Sequence, residues 1–250
     1  MTARKLILIR HGESTANVAA AEAEAAGAEA IAVPARDADV PLSALGRQQA
    51  EALRPRLAAE LSELAGVGGA PVLLCSPYLR AVETARLALG AEAAVTIDER
   101  LRDRELGILD ALTARGVEAR LPQEAARRRW LGKFYYRPPG GEAWTDVALR
   151  LRSFLRDLTA GPGGSAVLFT HDAVVSLFLY VLLGWSEREL DEFLRNRTVA
   201  NASVTTLERE DDDGGGAGAA WRIGVFADVE HLSELGVPRT EHPGAARVSN

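Results

Sequence analysis

Apolar residues in this chain fall into short unbroken runs separated by longer periodic stretches. Leu6-Ile7-Leu8-Ile9, Val72-Leu73-Leu74-Cys75 and Ala166-Val167-Leu168-Phe169 contain no polar position, the pattern of strands buried on both faces of a parallel sheet. Ala94-Val95-Thr96-Ile97 is a shorter candidate strand. Between the runs the period becomes helical: Leu53, Leu57, Leu61 and Leu64 mark one face of a helix over 45–64, and 81–89, 147–158 and 173–183 also read as helices. Strands alternating with helices predict a three-layer α/β/α fold around a mostly parallel, doubly wound sheet. Segments 204–207 and 223–226 read as a hairpin joined by the acidic, glycine-rich stretch 211–218.

The same pattern divides the chain into one domain over 1–228 and a tail over 229–250. Two insertions interrupt the domain, at about 19–40 and 112–145. The first begins with an Ala/Glu-rich stretch, helix-prone but with little to bury. The second carries Arg127-Arg128-Arg129-Trp130 and then Phe134-Tyr135-Tyr136-Arg137-Pro138-Pro139-Gly140-Gly141, where proline and glycine end any helix. From Glu230 onward, Pro238, Pro243 and Gly244 predict a weakly packed tail.

Composition narrows the function. The 29 basic against 35 acidic side chains leave a net charge of −6, opposite to the basic surplus of a nucleic-acid binder. Cys75 is the one cysteine, so an internal disulfide and a cysteine-based zinc site are excluded. The most apolar stretch, 173–183, is far short of the roughly 20 residues of a membrane span. No secretory pattern follows Met1. These features predict a cytoplasmic protein with no membrane partner.

The chemistry gathers where the strands end. Ligands of open α/β sheets bind beyond the carboxyl ends of the strands. The first run leads directly into Arg10-His11-Gly12-Glu13-Ser14, the second into Ser76-Pro77-Tyr78-Leu79-Arg80, and the third into Thr170-His171-Asp172. Guanidinium groups bind phosphoryl oxygens in bidentate fashion, and an imidazole can act as a covalent nucleophile. Gly12 lets the backbone approach a ligand, and Ser14 can cap the helix that follows.

Taken together, Arg10-His11-Gly12-Glu13-Ser14, Asn17, Leu42-Ser43 with Gly46, Gln49 and Ala50, Ser76 with Arg80-Ala81 and Thr84-Ala85, and Thr170-His171 resemble the histidine phosphatase superfamily, the phosphoglycerate mutase-like fold. The resemblance spans about residues 4–208. It implies that His11 becomes phosphohistidine, that Arg10, Arg80 and His171 hold the phosphoryl oxygens, and that Asn17 lines the pocket or supports its loop. It also implies a reaction with neither metal nor cofactor.

Where the superfamily usually carries a glutamate as general acid, this chain reads Leu101-Arg102-Asp103-Arg104-Glu105-Leu106-Gly107. Asp103 is the aligned candidate, and Glu105 and Asp172 are alternatives. The block 134–144 resembles that of a phosphatase-like subgroup. On that resemblance Tyr136 and Arg137 line the substrate mouth and Glu142 approaches the phosphate; the competing reading is a hydrophobic plug over the sheet. Glu13 is read as a solvent-facing residue, and His231 and His242 as bystanders in the tail.

The implied function is a phosphomonoester hydrolase acting on a small phosphorylated metabolite. A cofactor-dependent phosphoglycerate mutase is the alternative, disfavoured because the Trp-rich segment usual in mutases is replaced here by 19–39. A catalytically idle phospho-ligand or partner-binding module is the third reading.

Overall fold

The computed structural model describes residues 3–158, 164–210 and 220–242. The predicted connection 211–218, with Pro243 and Gly244, lies outside them. Six strands form one sheet: β1 (Lys5–Arg10), β2 (Val72–Cys75), β3 (Thr96–Ile97), β4 (Ser165–Thr170), β5 (Val204–Arg209) and β6 (Trp221–Ile223), in the order β3-β2-β4-β1-β5-β6. β1, β2, β3 and β4 run parallel, while β5 pairs antiparallel with both β1 and β6. The mostly parallel three-layer architecture is the one the apolar runs predicted.

The unbroken runs are explained by helices on both faces. Successive side chains of a strand point to opposite faces. Leu6, Leu8 and Leu168 therefore pack with Leu151 and Phe154 of α6 (Trp144–Asp157) and with Val174 and Phe178 of α7 (Asp172–Leu182). Ile7, Ile9, Val167 and Phe169 pack with Leu53 and Leu57 of α2 (Ala44–Gly68) and with Ala81 and Ala85 of α3 (Leu79–Leu89). Residues 6–9 and 166–169 are fully buried. Truncating one of these leucines to alanine removes about 2–5 kcal/mol.

Local expectations need correction in four places. The strand over 94–97 shrinks to Thr96–Ile97, because β3 is the sheet edge and pairs with β2 through only Leu74 and Cys75. The second hairpin strand stops at Ile223, where the Val225 amide turns to Thr206 Oγ1. Phe134 and Tyr135 belong not to a loop but to the end of α5 (Pro122–Tyr135), which breaks at Gly132 with φ 74°. Phe134 stacks on Trp144 and Tyr180 with centroids 5.4 and 5.1 Å apart.

The fourth correction is the tail. Residues 230–242 are not weakly packed: Leu232 is fully buried in the helix Glu230–Glu234, and Gln49 Nε2 donates to the Pro238 carbonyl and Thr240 Oγ1 at 2.9 Å each. Among the described residues, no helix is long and apolar enough to cross a membrane.

Candidate active site

Register brings the two strand-end histidines together. Arg10 of β1 pairs with Thr170 of β4, so the residues that follow, His11 and His171, emerge side by side with ring centroids 5.1 Å apart. Both rings are buried. His11 Nδ1 lies 2.6 Å from the Gly12 carbonyl. That bond places the proton on Nδ1 and leaves the Nε2 lone pair free. Burial, then the positive charge of Arg80 and the proximity of His171, hold the His11 pKa well below its ordinary value. The ring is neutral at pH 7, as a nucleophile must be.

The loop that carries His11 is clamped by close backbone approach. A Cβ on Gly12 would meet the Gly46 carbonyl oxygen at 2.4 Å, and one on Gly46 would meet the Glu13 oxygen at 1.9 Å. The N-terminal turn of α2, capped by Ser43 onto the Gly46 amide (2.9 Å), therefore lies directly against His11-Gly12-Glu13. Gln49 Oε1 accepts the Glu13 amide at 2.9 Å, and Thr84 Oγ1 accepts the Gly12 amide at 3.1 Å. The spaced Ser43, Gly46, Gln49 and Thr84 thus hold the backbone around His11.

Arg10 brings an unpartnered buried nitrogen to this edge, and His171 is held between Ser76 and Asp103. The Arg10 Nη groups donate to the carbonyls of Val199 and His242, the latter at 2.8 Å, while Nε has no partner among the described residues. Ser76 Oγ is 2.8 Å from His171 Nε2. His171 Nδ1 lies 3.3 Å from Asp103 Oδ2 without a well-aligned hydrogen bond. A buried donor left unpaired, as Arg10 Nε is, is destabilising by about 1–3 kcal/mol, and an anion relieves it.

Arg80, in the first turn of α3, completes the positive wall. Its Nη2 is 3.1 Å from Asp103 Oδ2, and its guanidinium lies over the Tyr78 ring at 4.9 Å. Burial raises the Asp103 pKa, but the neighbouring His171, Arg80 and His11 outweigh it and hold the carboxyl well below its ordinary range.

The remaining predicted residues divide. Asn17 makes a capping box with Ser14 (3.1 Å in both directions), and its Oδ1 accepts from Asn201 Nδ2 at 3.3 Å. Glu105 accepts the Tyr78 hydroxyl at 2.6 Å and reaches the histidines only through that ring, 5.2 Å from His171. Asp172 opens α7, and its Oδ1 accepts the Ala173 amide at 2.7 Å. Tyr136 is buried with Leu109, Val117 and Ala125, and its hydroxyl donates to Glu124 at 2.8 Å. Arg137 pairs with Asp146. Tyr136, expected at a substrate mouth, is a core side chain, while Arg137, expected there too, stays exposed and pairs with Asp146 in the first turn of α6.

Glu142, expected to approach the phosphate, anchors the loop that carries Asp103. It accepts from Arg102 (2.8 Å), Arg150 (3.0 Å) and the Glu105 amide (3.2 Å), while Arg150 also donates to the Asp103 carbonyl at 3.0 Å.

Three participants were invisible in sequence. Glu13 is buried, not solvent-facing, and accepts from Ser43 Oγ at 2.7 Å; His242 Nε2 lies 3.0 Å from its other oxygen, so this tail histidine is no bystander. Asp37, in a short turn of the first insertion, lies against Arg80, with Nη1 2.9 Å from its Oδ1. These residues are 229 and 43 positions from their partners, separations no local pattern encodes.

His11, Asp103 and His171 also present metal-type ligand atoms within 4.8 Å of one another. The guanidinium groups of Arg10 and Arg80 beside them make the pocket better suited to an anion. Two histidines and two arginines meet at the carboxyl edge of a parallel sheet, an arrangement suited to binding a phosphoryl group.

A model of the histidine phosphatase superfamily (branch 1) matches residues 6–218, and the chain belongs to that superfamily. It is 30% identical over 240 residues to the glucosyl-3-phosphoglycerate phosphatase of Mycolicibacterium vanbaalenii, covering 90% of this chain and 95% of that protein. It is 25% identical over 259 residues to a phosphoglycerate mutase-like protein of Arabidopsis thaliana, covering 96% and 84%. The solved mycobacterial glucosyl-3-phosphoglycerate phosphatase with VO3 superposes at a TM-score of 0.65 with 28% identity, over 90% of this chain and 99% of that one. This chain is a phosphoric monoester hydrolase of the same superfamily.

Proposed function

We propose that the protein hydrolyses a small phosphomonoester through a phosphohistidine at His11. The observation that carries this reading is a neutral His11 with its Nε2 lone pair free, set beside His171 and near Arg80, with the buried Arg10 Nε unpartnered among the described residues. Nε2 attacks phosphorus, the P–O bond to the leaving group breaks, and the departing oxygen takes a proton from Asp103. Arg10, Arg80 and His171 hold the three non-bridging oxygens, where the transition-state charge is spread. Water then attacks the phosphohistidine and returns its proton to Asp103, releasing phosphate and neutral His11.

Asp103 is favoured over Glu105 and Asp172 because it alone of the three lies within 3.3 Å of both His171 and Arg80. In the empty pocket it is ionised. A phosphate dianion neutralises the flanking cations and raises its pKa toward the value a proton donor needs.

The substrate carries a second anionic group. Burial and then the positive charge of Arg128 lower the Arg104 pKa to about 10, and burial with the charges of Arg104 and Arg128 lowers that of Lys133. None of them makes an ion pair with a carboxylate among the described residues. Arg104 adjoins Asp103, and this reading assigns the three cations to the leaving-group side. Relatives named for glucosyl-3-phosphoglycerate, a carboxylate-bearing phosphoester, support the reading. The proposed setting is cytoplasmic, in keeping with the free, buried thiol of Cys75.

Rapid quenching during turnover should trap phosphate on the peptide bearing His11, stable in base and labile in acid, and EDTA should leave turnover unchanged. Label on a serine or aspartate, or an EDTA loss restored by a divalent cation, overturns the mechanism.

A further inference from the structure

Arg80 and Arg10 are restrained in opposite ways. The Arg10 Nη groups rest on neutral backbone carbonyls. Those of Arg80 face carboxylates: Nη1 donates to the Asp37 carbonyl at 2.6 Å and to Asp37 Oδ1 at 2.9 Å, while Nη2 donates to Asp37 Oδ2 at 3.2 Å and to Asp103 Oδ2 at 3.1 Å. Each Nη carries two hydrogens, so every Nη hydrogen of Arg80 is already engaged within the protein. A phosphoryl oxygen can bind this guanidinium in bidentate fashion only by displacing one of these partners.

Asp37 is the partner placed to leave. It sits in a three-residue turn of the first insertion, and its side chain keeps 33% of its surface exposed, against 5% for Arg80. Asp103 is tied down from behind by Arg150 and, through its neighbours, by Glu142. The face of Tyr78 holds the guanidinium in position when a partner departs.

We propose that Asp37 is an internal competitor for the substrate phosphate: its carboxylate fills the anion position on Arg80 in the empty pocket and is displaced when the phosphoryl group enters. The competition weakens affinity for phosphate and speeds its release as product. This rests on the reading of Arg80 as a phosphate ligand, and it assigns Asp37 to setting affinity, without a chemical step.

The test uses inorganic phosphate as a competitive inhibitor of p-nitrophenyl phosphate hydrolysis by the full chain, with direct phosphate binding measured by calorimetry. Asp37→Asn removes one negative charge close to the bound dianion and should lower the phosphate Ki by roughly tenfold, the scale of one partly exposed charge contact. Asp37→Ser, which cannot span to Arg80, should act in the same direction, and Asp37→Glu should stay near wild type. In an Arg80→Ala background, where there is no guanidinium to compete for, Asp37→Asn should lower the Ki by clearly less than it does with Arg80 present.

Weaker phosphate binding by Asp37→Asn and Asp37→Ser would overturn the proposal, showing that Asp37 pre-orients Arg80. An unchanged Ki would overturn it as well. Wild-type protein that is not inhibited by phosphate at all would instead remove the reading of the pocket as a phosphate site, a separate failure.

Discussion

Replacing Asp103 with asparagine isolates the proton transfer from the rest of the site. Asparagine keeps the shape and retains an oxygen for Arg80 Nη2, 3.1 Å away in the wild type. It has no proton of suitable acidity to give. In the empty pocket His171, Arg80 and His11 hold the Asp103 carboxyl well below its ordinary range. Two unit charges about 4 Å apart interact by about 4 kcal/mol at an effective dielectric of 20, which is about three pKa units. A phosphate dianion bound between His11, His171 and Arg80 therefore raises the Asp103 pKa, the direction a proton donor needs.

General acid catalysis contributes roughly 10²–10⁴-fold when the leaving group is an alkoxide, and little when it is a stable nitrophenolate. Asp103→Asn should lower kcat/KM for 3-phosphoglycerate or glycerol phosphate by that factor and for p-nitrophenyl phosphate by less than about tenfold. Parallel losses on both substrates would refute the assignment. So would a leaving-group-dependent loss that appears in Glu105→Gln, Asp172→Asn or Asp37→Asn but not in Asp103→Asn.

Two further outcomes follow from packing and burial. Gly46→Ala places a methyl group 1.9 Å from the Glu13 carbonyl oxygen. It should be destabilising by about 1–3 kcal/mol and abolish turnover by moving the His11 loop, whereas Gly66→Ala, with nothing within 4 Å in the same helix, should be neutral or stabilising; equal melting temperatures for the two variants would contradict this. His231 is buried, and burial lowers its pKa to about 4. The folded state refuses a proton that the unfolded chain accepts, so its contribution is complete above pH 6.5 and falls away toward pH 4, by about 3 kcal/mol. Urea midpoints between pH 6.5 and 4 should fall more steeply for wild type than for His231→Gln, and identical slopes would show that the buried ring does not carry the effect.

Residues 6–9, 72–75 and 166–169 announce themselves in sequence because burial on both faces of a strand demands unbroken apolar runs, a condition met within a few neighbouring positions. The residues immediately after those runs inherit a location from the topology of any parallel sheet. For that reason Arg10, His11, Arg80 and His171 could be assigned to one edge before their contacts were known. Asp103 was legible only through its place in a motif, since nothing in its local pattern marks it as facing His171.

What tertiary structure alone decided is everything that depends on which distant segments meet. Tyr136 and Arg137 share a block with Glu142, yet one enters a core, one pairs with Asp146 and the third ties down the acid loop. Chain direction and helix phase, not composition, separate them. Asp37 meets Arg80 because the first insertion folds over the N-terminus of α3, and His242 meets Glu13 because the tail returns across α2 to the start of the chain. Such contacts form between groups already brought close by the folded core, so their energy is conditional on the fold and leaves no periodic trace along the sequence.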